Sequence, residues 1–150
     1  MTDRYVDEVK TGEILDPIDH PITIYRLVME AGANRDFNSI HHNSEWARST
    51  GAPEMYANVL FLQGMWERRV REFIGLRGTI RQLTGFRMGS FNTAGDTVTV
   101  QGRVARLWEQ GGIGFAELRM WSSNRHGVSV GPGSVIVTLP RRPVARWRDG

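Results

Sequence analysis

Cysteine is absent from this 150-residue chain, which excludes disulfides, thiolate metal ligands and cysteine nucleophiles. Lysine is nearly absent too, with Lys10 the only one among 19 basic residues. Histidine is scarce: His20, His41, His42 and His126 show no HExxH or comparable spacing, so no metal site is expected. Apolar runs are only a few residues long, too short to cross a bilayer, and no membrane partner is expected. The first ten residues, MTDRYVDEVK, are net acidic and lack the apolar core of a signal peptide, so a cytoplasmic protein is the simplest expectation. The net charge of +3 is concentrated in the last ten residues, RRPVARWRDG. Elsewhere no basic stripe interleaves with aromatics as a nucleic-acid groove requires, so nucleic acid is not an expected partner.

What is present is an ordinary globular mixture, 40% hydrophobic and 23% charged, at a length typical of one domain with a real core. The reading is one domain over 1–140 and a basic, flexible tail over 141–150. No repeat, low-complexity tract or linker divides the chain.

The first half reads as helical and the second as strands. Residues 23–30 form a short helix in this reading, with Gly32 supplying a left-handed cap. Mixed polar residues follow over 34–42. Asn43 or Ser44 then caps a short helix that Gly51 and Pro53 end. The clearest helix spans about 56–74, where Val59, Leu62, Trp66, Val70 and Phe73 recur at spacings of three and four, widened by Leu60 and Ile74. It would reach about 27 Å and needs a broad apolar surface to cover it, which a sheet provides. Gly64 in its middle is unfavourable by about 1 kcal/mol, which suggests close packing at that point. After Gly78 the period changes to two. Thr97–Val104 alternates as a half-buried strand, and 113–121 gives another with a phase change near Ala116 that suggests a bulge. Val128 and Val130, then Val135, Val137 and Leu139, supply further strand, with turn signals between them at Gly131-Pro132-Gly133. The fold class is α+β, an antiparallel sheet wrapped around one long helix.

The unusual segment is Arg35-Asp36-Phe37-Asn38-Ser39-Ile40-His41-His42. It places an acid, an amide, a hydroxyl and two imidazoles in eight positions. On an ideal helix Asp36 and His41 would lie about 140° apart, so they converge only if this stretch is irregular. Taken alone, such a pair is more often a turn cap and a surface imidazole than a catalytic centre.

From Asp36 to Val70 the chain resembles the MaoC-like enoyl-CoA hydratases, whose motif sets an Asp and a His five residues apart before the helix of a hot-dog fold. Here the pattern is Asp36-x4-His41, then Trp46-Ala47 and Gly51-Ala52-Pro53. Where the family has Pro-Ile-Val-His-Gly, this chain has Pro53-Glu54-Met55-Tyr56-Ala57, so Tyr56 and Ala57 replace the His and Gly. Arg35-Asp36-Phe37, the doubled His and Ala57-Asn58 are most similar to the small, single-hot-dog subunits of heteromeric steroid side-chain hydratases. A weaker likeness continues through Phe86-Arg87-Met88-Gly89 and Gly95–Val100.

The resemblance implies a single hot-dog domain that adds water to a 2-enoyl-CoA thioester. Asp36 and His41 would carry the proton traffic, and a backbone N–H at the helix start, Ala57 or its neighbour Asn58, would hold the oxyanion. Asn38 is a further substrate-binding candidate, although a turn cap explains it equally. Arg87 is a candidate for the CoA phosphates, although a surface ion pair explains it as well. His42 reads as a neighbour that orients the overhang or faces solvent. No cofactor is implied beyond the coenzyme A of the substrate. The implied partners are the acyl-CoA and a second chain, in a homodimer or in a heteromer with another MaoC-like protein. Two other readings stay open: a non-catalytic subunit that completes a partner's acyl-CoA tunnel, and a hot-dog thioesterase with Glu67 as its carboxylate.

Overall fold

A computed structural model describes residues 2–143. Its centre is a five-stranded antiparallel sheet in the order β1-β3-β4-β5-β2. In chain order the elements are β1 (Ile14–Pro21), α1 (Ile24–Ala33), α2 (Ser44–Ser49), α3 (Val59–Ile74), β2 (Thr79–Thr84), β3 (Thr97–Gln110), β4 (Ile113–Asn124) and β5 (Gly127–Leu139). The long helix α3 lies against the sheet, as the apolar stripe requires. Trp66 is fully buried and donates its indole N–H to Ser122 Oγ on β4 at 2.7 Å. Leu62, Met65, Val70, Phe73 and Ile74 complete the buried face. These are the features of a hot-dog fold, and together with the meander β3-β4-β5 they match the α+β expectation.

Several details differ from the sequence reading. The first half is not wholly helical, because Ile14–Pro21 is a strand paired antiparallel with β3. Its two prolines hid it. Pro17 falls where the pairing slips between Leu15 and Ile18, and β1 is an edge strand, where a missing N–H is tolerated. The long helix begins at Val59 rather than near Tyr56, with Asn58 as its N-cap, and Val59 and Leu60 are exposed rather than part of the buried stripe. The strand irregularity near Ala116 is absent. β4 alternates cleanly there, and the extra residue lies across the ladder, between Val104 and Arg106 of β3. Gly131-Pro132-Gly133 does not divide two strands. It forms a bulge within one continuous β5, where Met120 pairs with Gly133 and Ser122 with Val130.

At the C-terminal end, Arg141 and Arg142 form ion pairs with Glu109 and Glu8, so the first residues of the basic tail are tied to the domain. The remainder, 144–150, lies outside the described residues. Among the described residues no helix is long and apolar enough to cross a membrane.

His20 near the end of β1 is buried, and its Nε2 has no hydrogen-bond partner among the described residues. Desolvation holds its pKa below the ordinary histidine value, assisted by the nearby charges of Arg68 and Arg26 and opposed by Asp19 and Glu72. The unfolded chain therefore binds a proton that the folded chain resists. Stability is retained above the unfolded value near 6.5 and falls as pH drops from there through the folded value. In urea titrations at stepped pH, His20→Leu is expected to flatten this acid-side loss. A slope equal to wild type would show that His20 is not its source.

Candidate active site

The polar segment between α1 and α2 owes its shape to how α1 ends. The N–H of Asp36 bonds the Ala31 carbonyl at 2.9 Å and that of Arg35 bonds Gly32 at 3.2 Å, the paired bonds of a Schellman cap. Arg35, not Gly32, is the left-handed residue, at φ 55°. A non-glycine side chain there is strained, so Arg35→Gly is expected to raise stability by about 0.5–1 kcal/mol in thermal unfolding. Beyond this cap the chain turns sharply and presents Asp36. A 3-10 turn then follows at Ser39–His41.

This irregular path brings Asp36 and His41 together. His41 Nε2 stands 3.1 Å from Asp36 Oδ2, with the imidazole almost fully buried and the carboxylate about one-third exposed. The other ring nitrogen, Nδ1, lies 2.8 Å from the Tyr56 carbonyl. A carbonyl only accepts, so Nδ1 carries a proton; Nε2 then donates to Asp36 in the imidazolium and presents its lone pair beside the carboxylate in the neutral ring. Tyr56 also packs edge-on to the imidazole, with ring centroids 5.3 Å apart. Tyr56 therefore provides an aromatic wall and a backbone acceptor that orient His41. The sequence gives no signal for that carbonyl, because any residue would supply it.

Asn58 joins the pair to α3. Its Oδ1 accepts from Phe61 N at 2.8 Å, capping the helix, which leaves Nδ2 to donate to Asp36 Oδ2 at 3.2 Å. Asn58 is buried and both ends of its side-chain amide are engaged, so the side chain positions Asp36, while its backbone N–H has no partner among the described residues. The Ala57 expectation is corrected. Its N–H bonds the Asn92 carbonyl at 2.9 Å and is not free to hold an oxyanion. Val59 and Leu60 supply the first-turn amides without a partner among the described residues, where the positive end of the helix dipole also lies.

The loop that takes the Ala57 N–H is itself pinned from within. The buried Asp96 carboxylate accepts from Thr93 N at 2.7 Å and from Thr93 Oγ1 at 2.8 Å, and Asn124 Nδ2 donates to Asn92 Oδ1 at 3.0 Å. Asp96→Ala would strand these donors, and a loss of about 2–3 kcal/mol is expected in urea unfolding. An unchanged midpoint would contradict this.

The remaining candidates separate from the pair. Asn38 Oδ1 accepts from Ile40 N at 3.2 Å and so caps the 3-10 turn, which is the non-substrate role. His42 is exposed and donates from Nε2 to the Phe37 carbonyl at 3.3 Å, bracing the overhang. Arg87 lies in the loop after β2. It is exposed and forms no ion pair among the described residues. It precedes a cleft of about 260 Å³ lined by Tyr56, Ala57 and Met88–Asn92. Glu67 is exposed and accepts from Gln63 Nε2 two turns along α3 from Asn58, so it supplies no carboxylate to this site.

No family model matches the chain. It is 35% identical, over 81 residues, to the 3-oxo-4,17-pregnadiene-20-carboxyl-CoA hydratase beta subunit of Mycobacterium tuberculosis, a match spanning 54% of this chain and 62% of that relative. The crystal structure of the ChsH1-ChsH2 complex from the same organism superposes with a TM-score of 0.77 at 26% identity, covering 88% of this chain and 98% of that one. A MaoC-like dehydratase from Rhodospirillum rubrum superposes with a TM-score of 0.79 at 17% identity, over 94% of this chain and 99% of that one. By its sheet order and its central helix the chain has a hot-dog fold, and it is similar to MaoC-like dehydratases and to the steroid-type hydratase subunit.

Proposed function

We propose that the chain hydrates a 2-enoyl-CoA thioester to a 3-hydroxyacyl-CoA, with Asp36 and His41 as the catalytic pair. The observation that carries this reading is the 3.1 Å approach of His41 Nε2 to Asp36 Oδ2 beside the start of α3. A water between the pair and the substrate gives one proton to His41 Nε2, and its oxygen forms the new bond at C3. The C2–C3 double bond opens towards the thioester, and the resulting enolate oxygen faces the unpartnered first-turn amides. C2 then takes the proton back from the imidazolium, so water is added with no net change at the enzyme. Asp36 holds the second hydrogen of the water and balances the transient imidazolium charge. Arg87, exposed and next in sequence to Met88 of the neighbouring cleft, is suited to a CoA phosphate.

The named relative acts on a bulky steroid acyl-CoA and is one subunit of its enzyme. A bulky acyl group and a second MaoC-like chain are therefore the substrate class and partner proposed here. A second reading, a tunnel-completing subunit without chemistry of its own, draws support from the engaged Ala57 N–H. Loss of the enoyl-thioester absorbance separates the two, measured on the purified chain with and without any co-purifying partner. Turnover that collapses in both Asp36→Ala and His41→Ala supports catalysis. Turnover indifferent to both, or absent throughout, leaves the non-catalytic subunit.

A further inference from the structure

Tyr56 lies outside every helix and strand, yet its carbonyl has to be held still to orient His41. One bond, from Tyr56 N to the Ile40 carbonyl at 3.3 Å, ties it to the 3-10 turn that carries His41. Its other anchors all lie in the loop 91–96. The Ala57 N–H bonds the Asn92 carbonyl at 2.9 Å, and the Ala94 N–H bonds the Met55 carbonyl at 3.0 Å. Tyr56 itself forms an isolated β-bridge with Thr93, and its ring packs on Phe91 with centroids 4.8 Å apart. This loop is irregular too, so its rigidity has to come from a regular element.

That element is the tight hairpin of β4 and β5, in which Asn124 pairs with Gly127 across the turn residues Arg125 and His126. Asn124 donates from Nδ2 to the Phe91 carbonyl and to Asn92 Oδ1, each at 3.0 Å. Its Oδ1 accepts from His126 N at 2.9 Å, so the amide has one orientation and its donors stay aimed at the loop. Arg125 sets its Nε 2.9 Å from Oδ1 of the buried Asp96 carboxylate, whose other oxygen holds Thr93. A buried carboxylate is costly without a cation, and Arg125 is the one paired with Asp96 among the described residues. The hairpin turn therefore grips the loop at both ends, and the loop carries Tyr56.

We propose that Asn124 and Arg125 are positioning residues for His41, acting through the loop 91–96 and the Tyr56 carbonyl to keep Nδ1 on that carbonyl and Nε2 on Asp36. The inference deepens the hydratase reading and rests on it only for the kinetic consequence. An imidazole that swings presents Nε2 beside Asp36 for part of the time, which lowers kcat rather than substrate affinity. The competing account is a turn that stabilises its own hairpin and leaves His41 undisturbed.

The test uses the full chain, with any co-purifying partner, and four variants first checked for cooperative melting. Asn124→Asp keeps the side-chain shape and the acceptor for His126 N, but turns both donors into acceptors that face oxygen atoms. Arg125→Ala removes an exposed cation, and Arg125→Lys restores its charge. Arg106→Ala, which breaks the ion pair with Glu117 elsewhere on the sheet, is the control for general destabilisation. The direct readout is the proton magnetic resonance signal of His41 Nδ1–H, assigned by its absence from His41→Ala. It is expected to be sharp in wild type and Arg106→Ala, broadened by exchange with water in Asn124→Asp and Arg125→Ala, and recovered in Arg125→Lys. A signal unchanged in both turn variants, already broad in wild type or equally broadened in Arg106→Ala would overturn the proposal. With a 2-enoyl-CoA, kcat of both turn variants is expected to fall about fivefold to tenfold, the scale of one hydrogen bond, with KM within about twofold. A fall confined to KM, or an unchanged kcat, would overturn it too. If wild type turns over no substrate, the hydratase reading fails, and the His41 signal decides the positioning by itself.

Discussion

His41→Ala is expected to lower turnover of a 2-enoyl-CoA by about 10²–10⁴-fold, with the fall mainly in kcat. His41 Nε2 is the only ring nitrogen free to take the proton of water, since Nδ1 is committed to the Tyr56 carbonyl at 2.8 Å. Asp36→Ala is expected to fall in the same range, because the imidazolium then loses its carboxylate partner at 3.1 Å. The two groups act as a unit, so the double variant is expected to be no slower than the worse single one. Multiplicative losses would mean independent roles and would remove the shared-water mechanism. Single-turnover absorbance traces at saturating substrate provide the readout, with far-ultraviolet circular dichroism as the check on folding. His41 is buried, and its loss opens a small void beside Tyr56, so a modest drop in stability alongside the kinetic one is expected.

The largest stability effect is expected at Trp66. Truncation to alanine removes the largest fully buried side chain of the core and leaves Ser122 Oγ without its 2.7 Å donor. It also removes the edge-on contact with Phe86, whose ring centroid is 4.9 Å away. A loss of about 3–5 kcal/mol is expected for a buried tryptophan, a large part of the stability of a domain this size. Urea unfolding of Trp66→Ala and Trp66→Phe separates the contributions. Phenylalanine keeps much of the apolar area but not the indole N–H, so it is expected to fall between wild type and alanine. A phenylalanine variant as stable as wild type would mean that the hydrogen bond to Ser122 contributes nothing net.

Two local patterns were legible because adjacent residues carry them. The three-and-four spacing of Leu62, Trp66, Val70 and Phe73 needs an apolar cover, and the period-two residues of β3 and β5 are the material for one. The capping of α2 by Asn43, whose Oδ1 accepts from Trp46 N at 3.0 Å, follows from the side chain's short reach to the first turn. Pro17 and Pro21, by contrast, concealed β1, since proline speaks against a strand except at an edge, and edges are defined only by the assembled sheet.

The sequence by itself determined a helix that must be covered by a sheet, and an Asp36–His41 segment too polar and irregular to be plain helix. Both are set by side-chain chemistry over a few neighbouring residues. Tertiary structure decided the rest, because it turned on atoms distant along the chain. The Ala57 N–H went to Asn92, the Asn58 amide was divided between Phe61 and Asp36, and His41 was oriented by a backbone carbonyl. It also placed Gly64 beside α1 across an open groove instead of against a packed neighbour, since a missing side chain specifies no contact until the facing element is in place.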